Sequence, residues 1–439
     1  MMRYLFLLIF VLCAGLAQAV TIQETPRNVY FIEDHSDPLI AMTLYFRAGW
    51  AYDPAGHEGT AKFLTAMLEE GAGPYDATAY RRELENSGID LDFSASGDRF
   101  TITLSFLSSD RDRAARLLNL ALTQPHFSDS SMARVRDQLL AVYRQELEDP
   151  DRAAQDTLAH IVFQGHPYAA AGQYTPESLN RITADGLRQF LHDRLTIDTL
   201  AAGAAGDASA SDIDAFLGQA LAGLAAHATG APLPPFGPRL PKGMALLKRD
   251  LPQSVVAFAA PGIDLHDPDF YTAYVLNYIM GGGGFQSRLM REIRVKRGLS
   301  YGIDTALTQH ERSNILVGET QTKTASTAET IALIQQEWQR FRNEGPSAAE
   351  IDAAKTYIIG FYPRNFANLT DAAEVAASLK FEGRGKDYPD RRQALFAAVT
   401  AEDLRRLAQK LLDPDHLTFV VVGAPEGLVP TLSLPQLGQ

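Results

Sequence analysis

The strongest candidates for a functional site lie between Gly281 and Tyr301. A run of four glycines, 281–284, leads into a basic segment that ends at Gly298. Glycines permit backbone conformations and close approaches that side chains would block, and Gly298 suits the position just after a helix. The Arg294 guanidinium and the Tyr301 phenol are hydrogen-bond donors that could stabilise a developing negative charge without a metal. The ordinary structural alternative is a salt-bridged surface helix followed by a core tyrosine.

With residues 287–289 and 296–302 around it, this block resembles the signature of the second domain of pitrilysin-type zinc peptidases. That family includes insulin-degrading enzyme and mitochondrial processing peptidase, and the resemblance covers nearly all of the chain after residue 19. It implies that Arg294 and Tyr301 reach the scissile peptide bond of a substrate. It also implies a fold in which each domain is a sheet with helices packed on one face.

The same resemblance implies a zinc motif, H-x-x-E-H, on a helix that follows a strand ending in an R-x-G turn. The turn is present as Arg47-Ala-Gly49, but the motif positions hold Lys62, Thr65 and Ala66. Zinc needs neutral imidazole or anionic ligands, and an ammonium, a hydroxyl and a methyl group are neither. The sequence therefore predicts a degenerate metal site, no zinc bound by this chain and no catalytic residue of its own.

Other candidate ligands do not restore a site. The third ligand of the family, a Glu about one helix further on, falls near Val142, with Glu146 one turn away. His57 begins a pattern like the ordinary H-E-x-x-H motif, but the second His is Ala61, and a helix must present both imidazoles to one metal. His57 is interpreted as a surface residue. His166 has no acid or nucleophile beside it in the sequence and is assigned to packing.

The first residues predict an exported protein. Arg3 precedes an apolar run, 4–16, and then Ala17-Gln-Ala19, which is typical of a signal peptide, residues 1–19, cut after Ala19. The run is shorter than the roughly 20 apolar residues of a membrane span. The chain has one Cys, Cys13, and the bulky Leu12 before it disfavours a lipoprotein anchor. Cleavage would leave no thiol for a disulfide or a metal site, and no membrane span. The predicted location is the periplasm or the exterior of the cell.

Net charge and an internal sequence repeat limit the classes of protein to which this chain can belong. The formal net charge of −13 argues against nucleic acid or an anionic membrane as partner.

A capped helix followed by an apolar run ending in Gly occurs at 182–206 and again at 399–423, which indicates a duplicated domain. The proline-rich stretch 228–243 reads as a stiff linker. The predicted domains are therefore residues 20–227, with the degenerate zinc motif, and residues 244–439, with the Arg/Tyr motif.

Local patterns predict the fold class. Strand-like runs alternate with amphipathic helices, which indicates an α+β layer fold, here two duplicated α/β-sandwich domains forming one half of a clamshell. The predicted strands lie at 28–33, 40–47, 100–106, 255–260 and 417–422, and the predicted helices include 110–123 and 131–148.

In two-chain members of the resembled family, one subunit carries the metal and the other carries Arg and Tyr. This chain fits the role of the subunit that carries Arg and Tyr, so we expect a non-catalytic, substrate-binding subunit of an exported heterodimeric zinc metallopeptidase. The partner would be a homologous subunit with H-x-x-E-H, and the substrate a peptide. A different class stays open, a metal-free peptide-binding or scaffold protein of the cell envelope. A metal-independent enzyme has little to favour it, because the sequence shows no Ser/His/Asp or Cys/His arrangement.

Overall fold

A computed structural model describes residues 21–434. The predicted signal peptide, 1–19, lies outside the described residues. Within residues 21–434, no helix has both the length and the apolar character needed to cross a membrane.

The first half forms one large sheet with helices around it. Its strands are β1 (Gln23–Glu24), β2 (Tyr30–Glu33), β3 (Leu39–Phe46), β4 (Gly71–Ala72), β5 (Tyr75–Asp76), β6 (Asp90–Ser96), β7 (Arg99–Leu107) and β8 (Leu200–Gly206). Its helices are α1 (Thr60–Met67), α2 (Ala77–Asn86), α3 (Arg111–Thr123), α4 (Asp129–Glu148), α5 (Pro150–Val162), α6 (Pro176–Arg181), α7 (Ala184–Arg194) and α8 (Ala210–Ala220). The six-stranded sheet has the order β1-β2-β8-β3-β7-β6, while β4 and β5 form a separate pair.

The second half repeats this plan. Its strands are β9 (Gly243–Leu247), β10 (Gln253–Pro261), β11 (Ser300–Gln309), β12 (Asn314–Lys323) and β13 (Thr418–Val422). Its helices are α9 (Phe270–Asn277), α10 (Thr327–Glu344), α11 (Ala348–Phe361), α12 (Leu369–Phe381), α13 (Tyr388–Ala397) and α14 (Ala401–Leu411). The five-stranded sheet has the order β11-β12-β10-β13-β9.

The two sheets share one topology. In each, the last strand pairs in parallel with an early strand, β8 with β2 and β13 with β9, and lies antiparallel to β3 or β10 on its other side. The same strand order in both halves confirms the predicted fold of two duplicated α+β domains. Residues 228–242 contain no helix or strand, and this stretch is bonded to its surroundings, because the Arg239 amide donates to the Val162 carbonyl at 2.8 Å.

One feature of the fold was not predicted: each half packs one of its helices against the sheet of the other half. Helix α5 of the first half packs on β10 and β13, and α12 of the second half packs on β8, β3 and β2. Small residues permit the second contact, since a Cβ at Gly203 of β8 would lie 2.1 Å from the amide nitrogen of Ala377 in α12. Each sheet therefore carries helices of its own half on one face and a helix from the other half on the opposite face.

The turn between β11 and β12 also docks on the first half. Buried Asp98 accepts a hydrogen bond from the Tyr168 hydroxyl at 2.7 Å and one from the Glu311 amide at 2.8 Å. The Tyr52 hydroxyl donates to the Glu311 carboxylate at 2.8 Å. Because these groups come from both halves, the sheet edge that carries β11 is held in a fixed position relative to the first half.

Candidate functional site

The glycine run lies directly against strand β11. After α9 the chain makes one π-helical turn, Tyr278–Gly282, and a Cβ at Gly281 would lie 2.4 Å from the Thr305 hydroxyl oxygen. The Asn277 side chain joins the same strand, since its amide donates to the Thr305 carbonyl at 3.2 Å. A larger residue in place of Gly281 would have to displace the Thr305 side chain of β11. The close approach predicted for the glycines is therefore what the structure contains.

A short helical segment then carries Arg294. It includes a π-helical turn, Met290–Val295, and ends at Gly298, whose φ of +63° is a left-handed conformation that favours glycine. The Gly298 amide donates to the Arg294 carbonyl at 2.9 Å. The Arg294 guanidinium carbon lies 4.5 Å from the centroid of the Phe285 ring. Within residues 21–434, Arg294 itself forms no ion pair, although its basic neighbours in the segment do.

Tyr301 lies at a break in the sheet. Ser300 pairs with Thr322 and Ile303 pairs with Thr320, so the register shifts across Tyr301 and Gly302. Such a bulge on an edge strand re-aims the side chain, and Tyr301 is 81% exposed. It is therefore not a core tyrosine, and its phenol is free to meet a molecule that approaches this edge.

A carboxylate on α11 anchors the segment that carries Arg294. Glu350 in the first turn of α11 accepts bonds at 2.8 Å from Nε and Nη2 of buried Arg288 and from Arg291. It also accepts a bond from the Ser347 amide at 2.9 Å. Burial raises the pKa of the Glu350 carboxyl, but the donors and charge of Arg288 and the Ser347 amide outweigh it and hold that pKa well below its usual range. This anchor was not predicted, because a motif pattern does not identify a distant partner.

The degenerate motif lies on α1 in the first half. Lys62 is exposed, Thr65 is buried, and Ala66 packs against the hydrophobic core of the first half. The Thr65 hydroxyl donates to the Lys62 carbonyl at 2.8 Å, so its proton is already engaged within the helix. An ammonium on the surface and an engaged hydroxyl do not fit a zinc ion.

The neighbouring helix supplies no replacement ligand. Helix α1 packs against α4, which carries Val142, the residue predicted near the family's Glu position, as an exposed side chain and Glu146 as a partly buried one. Within the described residues 21–434, no group of three or more His, Cys, Asp or Glu side chains is arranged to hold a metal. His57, predicted as a surface residue, lies in the turn before α1 and is partly buried, with its ring Nδ1 3.4 Å from the Ala55 carbonyl. His166 is buried and contacts the Pro234 carbonyl at 3.1 Å, which agrees with packing.

A cavity that the sequence did not predict lies between the two halves. Its volume is about 460 Å³, and its wall includes Trp50 and α5 from the first half and Asp304, Thr308 and Glu319 from β11 and β12. Asp156 of α5 is buried in this wall, and burial raises the pKa of its carboxyl to about 6 although Arg152 opposes the rise. Strand β11 thus contributes Tyr301 at one end and cavity-lining residues further along.

Two models of one peptidase family match the chain. The model described as insulinase, peptidase family M16, matches residues 28–175, and the model described as peptidase M16 inactive domain matches residues 181–358. A protein of Helicobacter pylori named non-peptidase homolog YmxG is 27% identical over 428 residues, which are 96% of this chain and 98% of that protein. The probable mitochondrial-processing peptidase subunit beta of Schizosaccharomyces pombe is 23% identical, covering 87% of this chain and 86% of that protein.

Solved structures agree with these matches. A crystal structure described as a peptidase M16 inactive domain from Pseudomonas fluorescens superposes with a TM-score of 0.85 at 28% identity, covering 95% of this chain and 100% of that one. A protease from Helicobacter pylori superposes with a TM-score of 0.81, covering 92% of this chain and 100% of that one. At 15% identity, the second likeness shows the fold alone.

Proposed function

The chain belongs to peptidase family M16, and from this premise we propose that it is the non-catalytic, substrate-binding subunit of an exported heterodimeric zinc metallopeptidase. The observation that carries the proposal is a contrast between its two halves. The first half holds Lys62, Thr65 and Ala66 where the family holds zinc ligands. The second half presents Arg294 without an ion pair within residues 21–434 and Tyr301 at 81% exposure.

In this proposal the metal, the activated water and the general base belong to a homologous partner that carries H-x-x-E-H. This chain contributes two donors. The Arg294 guanidinium offers N–H donors and the Tyr301 hydroxyl offers an O–H donor. Both would donate to the carbonyl oxygen of a peptide held between the subunits. Donors that are already in place stabilise developing negative charge without reorganising during the reaction.

The other candidate is a peptide-binding protein without hydrolysis. The cavity of about 460 Å³ between the halves favours it, since a concave site with a few polar groups can hold a small ligand or a side chain without a partner. In that case this chain alone would bind the peptide and would not cleave it. The two candidates differ in whether a zinc-bearing subunit joins this chain.

The test begins with the native assembly. We expect the exported protein to purify with a homologous subunit, with zinc and peptidase activity present only in fractions that contain both chains. Purification without a zinc-binding partner, together with binding of fluorescent peptides by the chain alone, would establish the second candidate instead.

The residue-level test uses Arg294→Ala and Tyr301→Phe in the reconstituted complex. Loss of one oxyanion donor lowers kcat by about 10²–10³, whereas loss of a surface contact changes stability by only about 0–1 kcal/mol. Matched controls are Arg364→Ala and Tyr357→Phe, because Arg364 also lies over an aromatic ring, at 5.2 Å, and Tyr357 is also exposed. Unchanged turnover in both site variants, with intact assembly, would refute the action of this pair on the partner's substrate.

A further inference from the structure

The basic side chains around Arg294 are neutralised and Arg294 is not. Four of the five between 287 and 298 form ion pairs with two carboxylates: Arg288 and Arg291 with Glu350, and Lys296 and Arg297 with Glu292. In the part of the chain that the structure describes, Arg294 has no such carboxylate. The two carboxylates are therefore paired with the other four basic side chains, and the charge of the Arg294 guanidinium is not compensated by an ion pair.

Phe285 takes the place of a carboxylate beside Arg294. It follows Gly284, whose φ of +53° turns the chain at the end of the glycine run, and its side chain is 60% exposed. The guanidinium carbon of Arg294 lies 4.5 Å from the ring centroid, within the range of a cation–π contact.

A ring and a carboxylate hold a guanidinium differently. A carboxylate would fix Arg294 by accepting its N–H groups, and those donors would then be unavailable to a substrate. An aromatic face attracts the cation through its quadrupole and accepts none of the in-plane N–H donors. The contact with Phe285 can therefore orient Arg294 while leaving its charge and donors free.

We propose that Phe285 is the positioning residue for Arg294, holding the guanidinium by its ring face so that it meets a substrate carbonyl with all its donors available. The inference rests on the proposed function of Arg294 and deepens it by naming the group that sets its orientation. Phe285 itself contacts no reacting atom in this account. Its effect passes through Arg294 alone.

The kinetic test replaces Phe285 in the two-chain complex. Phe285→Leu keeps an apolar side chain and removes the quadrupole, and we expect kcat to fall about two- to fivefold, the value of one exposed cation–π contact, with KM unchanged. Phe285→Tyr keeps the aromatic face and should retain wild-type kcat. In an Arg294→Ala background, Phe285→Leu should change nothing further. The matched control is Phe361→Leu, which removes the ring beneath Arg364. Additive losses in the double variant would overturn the proposal.

A spectroscopic test separates this inference from the proposed function. In the full chain labelled with ¹⁵N-arginine, the Arg294 Nε–H resonance, assigned by its absence in Arg294→Lys, should carry a ring-current shift. The shift should vanish in Phe285→Leu and persist in Phe285→Tyr. The same shift in wild type and Phe285→Leu would show that the ring does not hold the guanidinium. If the shift is lost as expected while Arg294→Ala itself leaves turnover unchanged, the contact stands and the proposed function fails.

Discussion

Replacing Glu350 with Gln should destabilise the second half and loosen the segment that carries Arg294. The carboxylate accepts bonds at 2.8 Å from Arg288 and Arg291, and Arg288 is buried. A glutamine has a similar shape but one neutral acceptor, and its amide would place a donor against a guanidinium. Removing one partner of a buried ion pair costs about 3–5 kcal/mol, because the remaining charge is left without compensation.

Urea unfolding measures this loss. The chain has two tryptophans, Trp50 in the first half and fully buried Trp338 on α10 in the second, so a Trp50→Phe background makes fluorescence report on the second half. The matched control is Asp352→Asn, an exposed carboxylate on the same helix, expected to change stability by less than about 0.5 kcal/mol. A loss below about 1 kcal/mol for Glu350→Gln would show that the pair behaves as a surface contact and that the anchor is misassigned.

The pH dependence gives an independent check. The native pKa of Glu350 is held below its usual range, so the unfolded chain binds this proton more readily than the folded chain. The stabilisation is then fully present above the unfolded value of about 4.3 and is lost as pH falls below it. The difference in stability between wild type and Glu350→Gln should be constant from about pH 5 to 8 and should shrink below about pH 4. If the stability difference between wild type and Glu350→Gln grew on acidification, the pKa of Glu350 would not be lowered in the folded chain.

Two further changes test other parts of the structure. Placing H-x-x-E-H at residues 62–66 should give neither tight zinc binding nor peptidase activity, whereas adding Val142→Glu should raise zinc affinity, because zinc sites use three or four protein ligands. Equal affinities in a chelator competition would refute the third-ligand assignment. Asp98→Asn should lower stability by about 1–3 kcal/mol in urea unfolding, since its buried carboxylate joins Tyr168 to the β11–β12 turn. Asp90→Asn at an exposed position is the control, and an equal effect of both changes would argue against this junction.

Local sequence patterns predicted much of the fold. The recurrence of 182–206 at 399–423 predicted the duplication, and both copies end in equivalent strands, β8 and β13. The predicted helix at 131–148 is α4, which begins at Asp129. These features could be predicted because caps, apolar periodicity and glycines act over a few residues.

Long-range partners could not be predicted in the same way. An apolar helix face shows that something must cover it, and α5 could equally have covered the sheet of its own half. The Ala-rich and Gly-rich strand β8 was the available signal, since small side chains on a strand invite a backbone to approach closely, as α12 does at Gly203. The bulge at Tyr301 left no distinctive pattern either, because it depends on how β11 pairs with β12.

The exchanged helices make the second half depend structurally on the first half. Leu158 and Val162 of α5 belong to the same core cluster as Val255 of β10 and Val420 of β13. Fully burying each such side chain is worth roughly 1.5–3 kcal/mol, so removing α5 would expose the inner face of the sheet that carries Tyr301. The second half therefore depends on the first half for one of its helical layers, and this dependence does not involve the side chains at residues 62–66.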